Sequence, residues 1–390
     1  MKQVVISNKI NYLGTNDRKK SLFENNWPLP KGVSYNSYLI CDNKSALIDT
    51  LEFGSKDDYL DQIAEILDGN NLDYLIVNHM EPDHSSMIGI LLKFYPQLKI
   101  VSNIKAFKML EAYFGLTQNN FLEVKDNEIL DLGYHKLSFH ITPWVHWPET
   151  MMTYDTTDKV LFSCDAFGSF GTLDGGIFDD EINFEWYEDE MRRYYSNIVG
   201  KYSNMVQKAF AKLKDIDIKM ICPSHGPVWR SNPVKAIELY DKWSRYESEE
   251  GVIIAYASMY GNTEKMADYL ARLISEKGIK NIRIYDVSKT HASFILSDIW
   301  KYKTVILGSC AYNAGMHPMM EHLCHELSVL NPKDKNYALF GSYSWNGGGL
   351  KSLLAFAEKM TWNKIAEPVE LMGAPTLLKM EGFQNIAEKI

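Results

Sequence analysis

The densest chemistry in this 390-residue sequence lies in six residues, His79-Met80-Glu81-Pro82-Asp83-His84. They supply four groups able to bind a cation or move a proton, directly after a strand-like apolar run, Tyr74–Val77. On a regular strand or helix such close neighbours point different ways. A tight loop at a strand end converges them, and such loops are the usual seat of sites. Three more strand-like runs end in the same residue types: Leu137–Ile141 leads to His146, Lys159–Ser163 to Asp165, and Lys219–Cys222 to His225. Taken singly, each of these three serves equally well as a cap, a turn residue or a paired core residue. Taken together with the first cluster, they describe one metal site at the rim of a sheet, because polar groups so dense beside buried strands are costly unless paired or metal-bound.

The charge balance narrows the metal. Two divalent ions bring four positive charges; Glu81, Asp83 and Asp165 return three negative charges, and one bridging hydroxide would complete the balance. Carboxylates among the imidazoles make the donor set hard and oxygen-rich, which suits iron or manganese better than zinc. His135 and His140 fall on a strand pattern and read as surface or core residues. His322 and His325 resemble a metal pair, but they lie in a helical stretch with no partner ligands in the sequence.

A second chemistry begins at Val252–Tyr256, which runs into Ala257-Ser258-Met259-Tyr260-Gly261-Asn262-Thr263 and then a helical pattern, Glu264–Lys277. Hydroxyls, glycine and the amides of a helix N-terminus favour a phosphate. The loop lacks the lysine of a nucleoside-triphosphate loop and the GxGxxG of a dinucleotide fold, so neither ligand is favoured. Alone, it reads equally as a capped surface turn. Two further strand ends support a ligand: Ser309-Cys310-Ala311-Tyr312-Asn313, and Ser342-Tyr343-Ser344-Trp345-Asn346-Gly347. Small polar and aromatic residues at such a crevice suit a flat ring system.

These sites need two scaffolds. The first part opens with a strand-like N-terminus and a hairpin, Ser34–Cys41 and Ser45–Asp49 around a turn at 42–44. Apolar runs such as Lys99–Ser102 follow, with helical patterns at Tyr59–Asp68 and Ser85–Phe94. The second alternates strictly between strand and helix, with strands at Val252–Tyr256, Arg283–Val287, Thr304–Gly308, Tyr337–Gly341 and Glu370–Gly373. That is the pattern of a five-stranded doubly wound parallel sheet. The polar run Arg245–Gly251 is the natural seam, giving domains 1–250 and 251–390.

Composition sets outer limits. Lys and Arg number 41 and Asp and Glu 50, so the net charge is −9, which argues against nucleic-acid binding. No run approaches 18 apolar residues, and the N-terminus lacks a signal-peptide core, so no membrane span is expected and a cytoplasmic location is. The five cysteines are scattered, with no CxxC pair. That fits a reducing compartment and excludes a thiolate-built metal module within this sequence.

The loop His79–His84 resembles the HxHxDH signature of the metallo-β-lactamase fold, with Glu81 in place of the second His. HxExDH followed by His146, Asp165 and His225, with the surrounding text His146-Trp147-Pro148-Glu149-Thr150-Met151-Met152 and Cys222-Pro223-Ser224-His225-Gly226-Pro227, is similar to the flavodiiron (A-type) flavoproteins. The resemblance implies a metallo-β-lactamase-like αββα sandwich followed by a flavodoxin-like sheet. It implies FMN at the three loops named above and two non-haem irons: His79, Glu81 and His146 on one, Asp83 and His225 on the other, Asp165 bridging. His84 is either a further ligand or a neighbour of the site. Trp147 and Tyr194 or Tyr195 are expected near the substrate, with Tyr195 carried as the catalytic candidate. One departure stands out: the family's Ser-Pro-Thr in the third-strand loop is Ser309-Cys310-Ala311 here, which removes a threonine hydroxyl from the flavin.

The implied activity is reduction of O2 to water, of NO to N2O, or both. The implied assembly is a head-to-tail homodimer or dimer of dimers, in which the flavin of one subunit faces the metals of the other. The sequence ends at Ile390 without a rubredoxin-like CxxC pair, so the electron donor is expected to be a separate carrier such as rubredoxin. The competing reading is a metal-dependent hydrolase of the β-lactamase fold fused to a flavodoxin; Glu81 speaks against it.

Overall fold

The computed structural model describes residues 4–390; the first three residues of the strand-like N-terminus lie outside the described residues. The chain divides into two compact units, one running to Tyr195 and including Tyr202–Asp241, the other formed by Ser196–Lys201 and Lys242–Ile390.

The first unit is a metallo-β-lactamase-like sandwich. Its larger sheet has seven strands in the spatial order Val4–Ser7, Ile10–Asp17, Val33–Cys41, Ser45–Ile48, Tyr74–Ile76, Lys99–Ser102 and Phe121–Glu123. The smaller has five: Ile129–Asp131, Lys136–Ile141, Met151–Asp155, Val160–Cys164 and Met220–Pro223. Both begin antiparallel and become parallel towards the site: Ser45–Ile48 pairs parallel with Tyr74–Ile76, and Val160–Cys164 parallel with Met220–Pro223. Ile40, Ile48, Ile76 and Val101 from one sheet meet Leu137, Phe139, Met151 and Phe162 from the other in a single buried cluster. Burying both inner faces drives this assembly. It also brings the carboxyl ends of strands from both sheets to one rim.

Two details differ from the sequence reading. The helix expected over Ser85–Phe94 is broken into Pro82–Ser85 and Ile88–Phe94. Asp83 and His84 therefore sit on a one-turn helix entered through Pro82, whose ring presets the helical φ. The strand Met151–Asp155 lay hidden inside the motif that follows His146; all five of its residues are buried, so it has no polar alternation to reveal it.

The second unit is a flavodoxin-like parallel sheet in the order Ile282–Asp286, Glu249–Ala257, Tyr302–Tyr312, Asn336–Tyr343, Val369–Met372, with the short Asn363–Lys364 also pairing Asn336–Tyr343. Its first strand starts at Glu249, inside the polar run read as a seam, because strand pairing extends into the charged residues. The chain reverses direction across the sheet between the first and third strands. Loops after those strands and the fourth therefore splay open and leave a crevice. No helix among the described residues is long and apolar enough to cross a membrane.

Candidate functional site

At the rim of the first unit, the sequence-predicted groups converge. His79 Nε2 lies 3.2 Å from Glu81 Oε2, which is 3.1 Å from His146 Nε2. Asp83 Oδ2 is 3.3 Å from His225 Nε2, and His84 Nε2 is 3.4 Å from Asp83 Oδ1. Asp165 stands between the sets. Its Oδ2 is 3.4 Å from both His79 and His146; its Oδ1 is 2.9 Å from His84 and 3.4 Å from His225. The side chains thus form two groups able to hold an ion, His79–Glu81–His146–Asp165 and Asp83–His84–His225, all of them buried. His84 faces the second group.

Each ligand loop is pinned from a neighbouring strand. Ser34, Asn36 and Tyr38 alternate along one strand and share a face. Ser34 Oγ accepts from the Gly226 amide at 2.7 Å, Asn36 Nδ2 donates to the carbonyls of Pro223 and Gly226, and the Tyr38 hydroxyl donates to Pro223. These fix the turn that carries His225. Asp49, in the left-handed region at φ 53°, accepts from the Asn78 amide at 2.7 Å and from its side chain at 2.9 Å. The amide and hydroxyl of Thr50 both donate to the His84 carbonyl at 2.8 Å. One corner therefore holds both ends of the His79–His84 loop.

The electrostatics follow from packing three carboxylates among four imidazoles. Burial alone would lower His79 and His84, but the carboxylates beside them win. Glu149 and Glu81 raise His79 to about 9, and Asp83 and Asp165 raise His84 to about 10. Burial opposes ionisation of Asp165, yet the surrounding imidazoles hold it well below the ordinary carboxylate range. In the protein alone, protons on the imidazoles balance the carboxylates; a cation must displace them. Both Asp83 oxygens, Asp165 Oδ2, His84 Nε2 and His225 Nε2 are buried with no hydrogen-bond partner of acceptable geometry. Buried polar atoms left in this state are costly, and two metal ions sharing Asp165 would satisfy them. The residues fit a dinuclear centre.

Tyr194 and Tyr195 take different partners. The Tyr194 hydroxyl donates to Asp165 Oδ1 at 2.9 Å. The Tyr195 hydroxyl lies 2.8 Å from Ser203 Oγ, with its ring edge-on to Tyr240 at 4.9 Å. One step along a helix turns a side chain by about 100°, so the structure sets the Tyr194 hydroxyl on Asp165 and that of Tyr195, the expected catalytic candidate, on Ser203. Trp147 packs edge-on against His79 at 5.0 Å.

The sequence reading missed two carboxylates. Glu149 is fully buried, with Oε1 2.8 Å from His79 Nδ1; its place three residues after His146, in an otherwise apolar stretch, was the available signal. Glu24, at the tip of the hairpin formed by Leu22–Phe23 and Trp27–Pro28, stands close to Glu81, and partial desolvation together with that neighbouring carboxylate pushes it up to about 8. No spacing rule links position 24 to position 81. A third polar group, His135, Asp155 and Asp158, needs no ion. His135 is satisfied by Asp155 and the Asn8 carbonyl, and Asp158 by the hydroxyls of Ser7 and Tyr134. His140 is buried on its strand, and His322 and His325 are exposed on the helix Pro318–Leu330.

In the second unit, the three predicted loops enclose a cavity of about 560 Å³. Ser258, Met259, Tyr260, Asn262 and Thr263 line it from the first loop, Cys310, Ala311, Tyr312 and Asn313 from the second, and Ser342, Tyr343, Ser344, Trp345 and Asn346 from the third. Ala314 lines it as well. Gly261, Ser309 and Gly347 do not. Gly261 shapes the loop at φ 86°, and its amide donates to Ser258 Oγ. The Ser309 hydroxyl is spent on the Cys310 carbonyl and the His317 amide. Gly347 lies beside Glu370. Thr263 and Ser342 join two of the loops through a 2.8 Å hydroxyl contact. The helix Asn262–Glu276 enters this cavity with no side-chain cap on its N-terminus, so its first amides are open to an anion. A Cβ on Gly349 would come within 2.9 Å of the Cys310 carbonyl; only glycine there allows the third loop to close against the second. Exposed rings of Tyr260 and Trp345 flank the opening. The cavity fits a phosphorylated flat-ring cofactor.

Fold and sites together define a metalloflavoprotein: a β-lactamase-like domain with a two-metal His and carboxylate cluster, followed in the chain by a flavodoxin-like domain. Comparison with known proteins gives the family. Residues 33–226 match the ODP family beta lactamase profile and residues 254–380 the flavodoxin profile. The chain is 34% identical over 355 residues to the anaerobic nitric oxide reductase flavorubredoxin of Escherichia coli O1:K1 / APEC, an alignment covering 90% of this chain and 74% of that one. The structure of rubredoxin oxygen:oxidoreductase from Desulfovibrio gigas superposes with a TM-score of 0.95 at 30% identity, covering 100% of this chain and 98% of the other. A mutant of the flavo di-iron protein from Thermotoga maritima gives a TM-score of 0.90 at 27% identity, covering 97% of this chain and 94% of the other. The chain belongs to the flavodiiron protein family and is an oxidoreductase, with FMN and a diiron centre as its cofactors.

Proposed function

We propose that residues 1–250 carry out the reduction of a diatomic substrate, O2 or NO, and that residues 251–390 hold the FMN that passes electrons to them. The observation that carries this reading is the position of Asp165, with one oxygen towards each half of the metal cluster. By this reading His79, Glu81 and His146 hold one iron, and Asp83, His225 and His84 the other. When bound, two ferrous ions and a reduced flavin together supply the four electrons that take O2 to two waters, or the two that take a pair of NO molecules to N2O and water. The protein's share is positional. His79 and His225 keep Nε2 towards the metals because their Nδ1 atoms are held by Glu149 and the Ser34 carbonyl. Tyr194 steadies the shared carboxylate.

The name of the Desulfovibrio relative pairs it with rubredoxin and oxygen, and that of the Escherichia relative with nitric oxide. Both substrates, and rubredoxin or a similar small carrier as donor, are accordingly proposed for this chain. A head-to-tail homodimer or dimer of dimers and a cytoplasmic location complete the proposal. The absence of a long apolar helix among the described residues is compatible with that location. Three carboxylates within the metal cluster weigh against the hydrolase alternative. The test is anaerobic stopped-flow of the purified, pre-reduced protein with O2 and with NO, alongside iron and FMN quantitation. Two irons and one FMN per chain, with reoxidation by at least one gas, are expected. A zinc-loaded protein inert to both gases would overturn the reading.

A further inference from the structure

The two halves of the metal cluster differ in what stands behind their histidines. In the His79–Glu81–His146 half, His79 Nδ1 lies 2.8 Å from Glu149 Oε1. The same oxygen accepts from the Met80 amide at 3.0 Å. The Glu149 main-chain carbonyl is held by Asn103 at 2.6 Å, and its Oε2 is buried with no hydrogen-bond partner. In the Asp83–His84–His225 half, His225 Nδ1 faces the Ser34 carbonyl at 2.7 Å. One imidazole is therefore backed by a full negative charge and the other by a neutral dipole. A carboxylate behind a ligating imidazole draws the Nδ1 proton towards itself and makes Nε2 the stronger donor. In a buried site that difference is weakly screened.

We propose that Glu149 is a positioning residue that makes the two metal positions unequal: acting through His79, it gives the His79–Glu81–His146 position the more electron-rich donor set, so that this iron is the more tightly held and the first to be oxidised. The inference rests on the ligand assignment of the preceding section. Charge and orientation act through the same oxygen, because Oε1 ties the His79 ring to the backbone at Met80, one residue before Glu81. Trp147, edge-on to His79, opposes rotation of the ring. Glu81 and Glu149 bear on the first position in addition to the shared Asp165; Asp83 does so on the second, where the buried Asp49 also acts through space on His84. No carboxylate there hydrogen-bonds His225 Nδ1 as Glu149 does His79 Nδ1.

The test is Mössbauer spectroscopy of the full-length protein loaded with isotope-enriched iron, as wild type, Glu149→Gln and Glu149→Asp, together with iron retention against a chelator. Glutamine keeps an oxygen able to accept both hydrogen bonds and removes only the charge. The wild type is expected to show two inequivalent ferrous doublets of equal area. Glu149→Gln should move one of them and leave the other, and should weaken retention of one iron per chain by roughly 10- to 100-fold. Glu149→Asp, which keeps the charge, should return the shifted doublet towards the wild-type position. After one-electron oxidation with ferricyanide, the perturbation should fall on the ferric ion. Equivalent doublets in the wild type, or a Gln variant in which neither or both doublets move, would overturn the proposal. Wild-type protein that takes up no iron pair overturns the ligand assignment and this proposal with it; that failure is distinct because it appears in the iron count before any variant is made.

Discussion

The metal cluster and the flavin cavity differ above all in where their charge is kept. Around Asp165 every group is buried: His79 and His225 are 0% exposed and Asp165 is 1%. Their partners are one another, so the cluster is collective, and removing one member changes the charge state of the rest. The flavin cavity is open, with Tyr260 92% and Trp345 88% exposed, and its lining is neutral. A deeply buried ammonium on the same sheet, that of Lys335, sits just before the strand Asn336–Tyr343, at the amino end, whereas the cavity lies at the carboxyl end. The first site is therefore specified by mutual charge compensation in a low-dielectric core, and the second by loop shape and backbone amides.

The largest effect should come from breaking the collective site at its shared member. Asp165→Ala is expected to abolish binding of both irons and, by leaving buried imidazolium groups without their common counter-charge, to cost the metal-free protein roughly 3–5 kcal/mol. Metal analysis and urea unfolding would show it, with FMN content unchanged. Loss of only one iron would break the comparison, because the halves would then be independent.

Next comes the shape of the open site. Gly349→Ala places a methyl within 2.9 Å of the Cys310 carbonyl. An overpacking cost of roughly 1–3 kcal/mol should weaken FMN binding by about tenfold, read by flavin fluorescence titration, while iron content stays at the wild-type level.

Lys335 sharpens the contrast in buried charge. It is 1% exposed and donates to Ser248 Oγ, the Trp300 carbonyl and the Tyr302 carbonyl. With no carboxylate among those acceptors, burial lowers its pKa from 10.5 to about 7. The unfolded chain therefore binds more protons between pH 7 and about 10.5, and stability should rise with pH through that window, by roughly a few kcal/mol. Thermal unfolding at stepped pH should show the rise in the wild type and a flatter profile in Lys335→Met.

The smallest expected difference separates two adjacent tyrosines. Tyr194→Phe removes a donor from a buried carboxylate, at a cost of about 1–3 kcal/mol, and should loosen iron retention. Tyr195→Phe removes its hydroxyl contact with Ser203, at a cost of about 1 kcal/mol, and should leave iron retention alone. Equal iron retention in both variants would place neither hydroxyl in the support of the metal centre.

Much of this molecule is written locally. Strand ends followed by His, Glu or Asp are legible because a buried apolar run and the polar residue that terminates it are adjacent in the chain. The same holds for the strict strand and helix alternation after Val252, whose five parallel strands and three cavity loops lie where the pattern puts them. What escaped depends on contacts across long separations or on rotation within an element. Glu149 is 70 residues from His79 in the chain. Ser34, Asn36 and Tyr38 look like ordinary strand residues until their shared face meets the turn at His225. Met151–Asp155 was hidden because a strand buried on both faces has no periodicity of its own.

Residue type and local periodicity are one-dimensional properties, and they sufficed for the strand-end metal cluster, the doubly wound second domain and the loops that form its cavity. The type of the first domain was legible only through the resemblance of the His79–His84 motif to a known family. Packing in three dimensions was needed to settle which oxygen of Asp165 faces which histidines, that Tyr194 and not Tyr195 reaches it, and that a charged carboxylate backs His79 where a neutral carbonyl backs His225. Those outcomes depend on how two sheets and a helix meet around one rim, and hydrogen-bond geometry and buried-charge compensation are set only when that packing is complete.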